Sequence, residues 1–130
     1  MLKTRNPVKF LWHYATCGGR HVYKQKTIEE RLEKHLAYKT CRIILDEDGY
    51  ICACCLWNID DGTIVAEILD LAIREDYVKK DLMRRILLDG MQVWPVKFIK
   101  YRRDYTENEN NERPQRVWSV ERFLRRRSWA

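Results

Sequence analysis

No apolar run in this sequence approaches the ~20 residues that a bilayer-spanning helix needs; the stretch from Ile51 to Trp57 is among the longest. The opening Met1-Leu2-Lys3-Thr4-Arg5 leads into neither a signal-type apolar segment nor a small-residue cleavage site. The chain is therefore expected to be soluble, to have no membrane partner and to stay in the cytoplasm. Disulfide spacing is missing too. The chain has five cysteines, an odd number, with Cys52, Cys54 and Cys55 crowded into an apolar run rather than spread among loops. That pattern predicts reduced, buried thiols. Neither Cys-x-x-Cys nor paired-histidine spacing connects His13, His21, His35, Cys17 and Cys41, so no metal site is expected. Cys17-Gly18-Gly19-Arg20-His21 has the outline of a nucleophile loop without a partner residue, and its glycines read as a helix C-cap. No internal repeat is visible.

What remains is ample for one domain covering residues 1–130. Hydrophobic residues make up 45% of the chain, which excludes a disordered polymer and supplies a modest core. The formal charge is +6, and the excess is uneven. Residues 46–70 are acidic, whereas the stretch Arg113–Arg127 carries Arg113, Arg116, Arg122, Arg125, Arg126 and Arg127 against Glu121 alone. Such asymmetry suits an anionic partner: nucleic acid, a CoA phosphate or an acidic protein surface. Trp118, Phe123 and Trp129 among those arginines would allow base stacking. A solvated basic tail accounts for the same residues.

Along the chain, Asn6-Pro7 opens a helix with Phe10, Leu11, Tyr14 and Ala15 on its inner stripe. Thr27-Ile28-Glu29-Glu30 reads as a capping box, followed by Ile28, Leu32, His35 and Leu36 at helical spacing. Strands are then expected over residues 42–45, 50–59 and 63–73. Asp46-Glu47-Asp48-Gly49 and Asp60-Asp61-Gly62 join them as tight turns into an antiparallel meander. A helix over residues 81–92, with Asp81 as N-cap, and a strand over 96–101 complete a right-handed βαβ unit with parallel strands. Residues 107–114 are a polar loop. Residues 116–124, which alternate poorly, read as a last, basic strand.

Two helices, an antiparallel meander, a crossover helix and a parallel strand follow the element order of the GNAT acetyltransferases, an α/β (α+β) fold. Glu67-Ile68-Leu69-Asp70-Leu71-Ala72-Ile73 resembles that family's central strand, which often ends in a Leu-Ala-Val-type tripeptide. The following segment, from Arg74 to Met83, aligns without gaps to the family's Pro-Glu-Tyr-Arg-Gly-Lys-Gly-Ile-Gly loop. Asp76-Tyr77, Lys80 and Leu82 match, while Lys79, Asp81 and Met83 stand where the family has glycine.

The resemblance implies acetyl-CoA as co-substrate and transfer of an acyl group to an amine. It implies that Leu71 and Ile73 hold the pantetheine arm, and that Lys79, Lys80, Asp81, Leu82 and Met83 surround the pyrophosphate at a helix N-terminus, where the dipole favours an anion. Glu67 occupies the position of the general base. Strand parity would set it on one face with Leu69, Leu71 and Ile73, where burial raises a carboxyl pKa. Tyr101 and Tyr105 are candidates for the general acid, although the family's usual tyrosine segment is missing. The alternative is a GNAT-like module without catalysis that engages nucleic acid or a protein through its basic C-terminal part.

Overall fold

A computed structural model describes residues 1–14, 25–59, 65–90, 94, 96–101 and 116–125. Helix α1 (Pro7–Tyr14) and helix α2 (Gln25–Ala37) precede strands β1 (Cys41–Leu45), β2 (Ile51–Ile59) and β3 (Val65–Ile73). Helix α3 (Lys79–Arg85) runs into a π-helical turn over Ile86–Gly90 and leads to β4 (Phe98–Tyr101). Strand β5 (Arg116–Ser119) and helix α4 (Val120–Arg125) close the chain as described. The result is a mixed α+β fold whose five strands lie in the order β1-β2-β3-β4-β5. Strands β3 and β4 are parallel and the other neighbours antiparallel.

Asn6 starts α1 by accepting hydrogen bonds from the amides of Val8 (3.0 Å) and Lys9 (3.4 Å) on its Oδ1. Phe10 and Leu11 are buried, while Ala15, Gly18 and Gly19 lie outside the described residues. Helix α2 begins at Gln25, so Thr27 and Glu30 sit inside it and the expected capping box does not mark its start. Ile28, Leu32 and His35 are buried as the spacing predicts, but Leu36 is exposed. At ~100° per residue, Leu36 lies roughly 80° from Ile28, beyond the stripe that three other positions already fill.

The chain leaves α2 through Lys39 at φ 58°, with the Thr40 amide donating to the His35 carbonyl at 2.8 Å. A lysine in this left-handed conformation is strained relative to glycine. Lys39→Gly is expected to raise stability by about 0.5–1 kcal/mol, read as a rise in the urea midpoint at constant slope.

The Asp46–Gly49 turn forms as expected. The Asp46 carboxylate accepts the amides of Asp48 and Tyr50, both at 2.9 Å, and Gly49 takes φ 84°. The second turn falls outside the described residues.

Two cores flank the sheet. Phe10, Leu11, Ile28 and Leu32 pack on Ile51, Cys54, Leu56 and Ala72 on one face. Leu82, Met83, Ile86 and Leu87 pack on Cys55, Trp57, Ile68, Leu71 and Ile99 on the other, joined by Val120, Phe123 and Leu124 of α4. Cys52, Cys54 and Cys55 are buried and in no disulfide. The last segment corrects the sequence reading: it is a strand only to Ser119. Ser119 then caps a helix by accepting the Arg122 amide at 3.1 Å. Val120, Phe123 and Leu124 follow i, i+3, i+4 spacing, which is why they alternate poorly.

Candidate functional site

Strand β3 carries the site, and its register decides which side chains share a face. Asp70 lies opposite Leu56 while Ile68 lies opposite the next residue, Trp57, so Leu69 is an extra residue bulging from the ladder. The bulge shifts the alternation by one. Glu67, opposite Asn58, lies on the face of Asp70 and Ala72, under α1 and α2. Leu71 and Ile73 lie on the other face, under α3. This corrects the parity reading, which grouped Glu67 with Leu71 and Ile73 and turned Asp70 away from it. Glu67 is half-buried and pairs at the backbone with Lys100 of β4, the last rung of a parallel ladder that starts at Val65 and Phe98.

Asp70 is the deeply buried acid of that face, 4% exposed. Its Oδ2 accepts a hydrogen bond from Arg31 Nη2 of α2 at 2.6 Å. Burial raises its pKa, and the Arg31 charge only partly offsets the effect.

Past Ile73 the chain enters the loop that leads to α3, and Arg74 organises it. Its side chain is 3% exposed. The guanidinium donates to both carboxylate oxygens of Asp76, at 2.7 and 3.0 Å, and to Asp46 Oδ2 at 2.8 Å. It also stands over the Tyr77 ring, 5.4 Å from the centroid. One buried cation thus ties the β1–β2 turn to the loop before α3. The two Asp76 hydrogen bonds foremost, then Asp46, push the Arg74 pKa up. Arg74 in turn lowers the Asp76 carboxyl. Burial pulls Asp46 upward, but Arg74 and the Tyr50 and Asp48 amides outweigh it and leave it lowered.

Helix α3 starts at Lys79, two residues before the expected Asp81, with Val78 as an N-cap that has no side-chain hydrogen bond to give. The Asp81 and Leu82 amides turn inward to the Val78 carbonyl, at 3.2 and 3.4 Å. Leu82 and Met83 bury their side chains in the core, while Lys79 and Asp81 are exposed and Lys80 is partly exposed. Of the positions assigned to the pyrophosphate, the two lysines therefore face outward and the two apolar residues do not. Val78 has extended φ/ψ suited to a cap. Val78→Ser is expected to stabilise the fold by about 1 kcal/mol, measured by chemical denaturation.

Tyr101 ends β4 opposite Arg116, and Tyr105 lies outside the described residues. Of the basic stretch, residues 116–125 are described; Arg125 makes a loose, exposed pair with Glu121 at 3.6 Å. Arg113, Arg126 and Arg127 lie outside the described residues. Sequence reasoning missed Arg31 and Arg74. Asp70 lies 39 residues from Arg31, and Asp46, one of the two partners of Arg74, lies 28 residues from it, so no local pattern links these pairs.

The chain matches no protein-family model and no curated protein. No helix among the described residues is long and apolar enough to cross a membrane.

Proposed function

We propose that this chain is a GNAT-like acyltransferase that moves an acetyl group from acetyl-CoA to an amine. The observation that carries the reading is the β3–α3–β4 unit. In it a bulged central strand, antiparallel to β2 and parallel to β4, feeds a rigid loop into a helix whose N-terminus has no side-chain cap. A phosphate group would complete that N-terminus with charge of the right sign. Lys79 and Lys80 at its first turn would add two cations. Acetyl-CoA would supply the activated thioester.

Glu67, half-buried at the end of the parallel ladder, takes the proton of the incoming ammonium. The freed amine nitrogen then bonds to the thioester carbonyl carbon. The C–S bond breaks, the electron pair leaves on sulfur, the nitrogen sheds its second proton as it becomes an amide, and the thiolate takes up a proton, so that one proton passes in net from nitrogen to sulfur. Tyr101 and Tyr105 remain the candidates for its donor.

Thermal-shift titration with acetyl-CoA tests this directly. Binding to the native state alone raises the midpoint by mass action, so a saturable upward shift is expected, diminished in Lys79→Ala/Lys80→Ala. No shift at millimolar acetyl-CoA sinks the reading. A salt-sensitive shift with a single-stranded oligonucleotide instead would favour the binding-module alternative, since phosphate contacts release counterions.

A further inference from the structure

The sheet register lays out a row of polar side chains around Glu67. Asn58 of β2 lies opposite Glu67, and Glu67 lies opposite Lys100 of β4, so the three share one line across three strands on the face away from α3. Helices α1 and α2 cover another part of that face. Their core partners are Ile51, Cys54, Leu56 and Ala72, and no member of the row is among them. Water reaches the row: Asn58 is exposed, Glu67 and Lys100 are half-buried, and Phe98, two residues before Lys100 on the same face, is 37% exposed. Glu67 and Lys100 form the last rung of the β3–β4 ladder. Their strands stand ~4.8 Å apart and their charges are opposite. Among the described residues, nevertheless, no ion pair joins the two side chains. Each keeps its charge available to a third group.

We propose that Lys100 selects the acceptor by meeting an anionic group that the acceptor itself carries, so that the preferred substrate is a zwitterionic amine. The inference deepens the acyltransferase reading and rests on Glu67 as its base. An amine that reaches Glu67 as an ammonium comes within about one strand spacing of Lys100, ~4.8 Å, and like charges at that range repel. A plain alkylamine gains nothing against the repulsion, and a polyamine adds to it. A carboxylate on the acceptor reverses the sign. It accepts a hydrogen bond from the Lys100 ammonium while the acceptor's own ammonium donates to Glu67. Asn58, on the other side of Glu67, is neutral and opposes neither contact. Lys100 takes no proton in the reaction; its effect falls on KM and on the choice of acceptor.

The test compares γ-aminobutyrate with n-butylamine, which match in chain length and closely in basicity and differ in ending on a carboxylate or a methyl group. With acetyl-CoA, the full chain should favour γ-aminobutyrate in kcat/KM by about tenfold, the worth of one hydrogen bond between charged groups. Lys100→Met should abolish that preference through KM, and Lys100→Arg should keep most of it. Lys97→Met removes the same charge from an exposed position outside the row and should leave the preference intact. Equal use of the two amines overturns the proposal, as does an equal loss of preference in Lys97→Met, which would assign the effect to overall charge. Should Lys100→Met fail to fold, the wild-type preference and Lys100→Arg still decide. A second arm needs no turnover: γ-aminobutyrate should raise the thermal midpoint saturably, n-butylammonium chloride should not, and Lys100→Met should lose the response. The acetyl-CoA titration separates the two claims. A CoA response without discrimination between the amines sinks the role of Lys100 alone. A Lys100-dependent γ-aminobutyrate shift without a CoA response sinks the acyltransferase reading and leaves a zwitterion site, and the absence of both responses overturns both.

Discussion

Arg74→Met is expected to lower the stability of the fold by about 3 kcal/mol, visible in chemical denaturation as a fall in midpoint at constant slope. The side chain is 3% exposed and satisfies two carboxylates on separate segments. Methionine fills much of the volume but supplies no charge. Asp46, itself only 8% exposed on its side chain, would be left against an apolar group. The partly exposed Asp76 can turn to water, which keeps the loss at the lower end of the range for breaking a buried pair.

The pH dependence identifies the cause. Asp46 and Asp76 have folded pKa values below the ordinary 3.8. Their contribution is therefore fully present above that pH and fades as the pH falls through the folded values. The gap between wild type and Arg74→Met should be constant through the neutral range and narrow below about pH 4. A gap that stays constant down to pH 2 would mean that packing, rather than the ion network, is what Arg74 contributes. Arg74→Lys should recover only part of the loss, because an ammonium cannot reproduce the bidentate fork on Asp76.

Glu67→Gln carries the other large effect. On the acyltransferase reading, loss of the general base should lower kcat about 10²–10⁴-fold and leave the acetyl-CoA thermal shift unchanged. Glutamine keeps the shape and removes only the ability to take a proton, so stability should be nearly unaffected at this half-buried position. The deficit should shrink as pH rises, because the acceptor amine then loses its proton to solvent before binding. Wild-type turnover in Glu67→Gln would remove this residue from the chemistry. An equal loss that does not respond to pH would assign it to positioning.

How much of this could be read in advance follows from range. The meander was legible because its first turn is written locally, in Asp46 and Gly49, and its strands in unbroken apolar residues. The crossover helix was legible in kind but not in start, since Val78 caps it without a polar side chain to announce the fact. The C-terminal strand-to-helix change was hidden in a stretch that fits neither period from end to end. The candidate site was named at Glu67 and the lysines from a family pattern alone. It was illegible at Asp70, whose face depends on a bulge, and at Arg31 and Arg74, whose roles exist only once distant segments meet.

That bulge has a consequence for how the chain can change length. Leu69 is the extra residue of the bulge, while the residues on either side of it, Ile68 and Asp70, lie opposite the consecutive Trp57 and Leu56. Remove Leu69 and the register of the remaining rungs is kept, with the acids still on one side and the aliphatic residues on the other. Remove one residue elsewhere within the strand and part of it must rotate, carrying core side chains to the wrong surface. A lineage descended from this chain can therefore drop a codon here with little harm to its core, at the cost of the bend beside the two carboxylates.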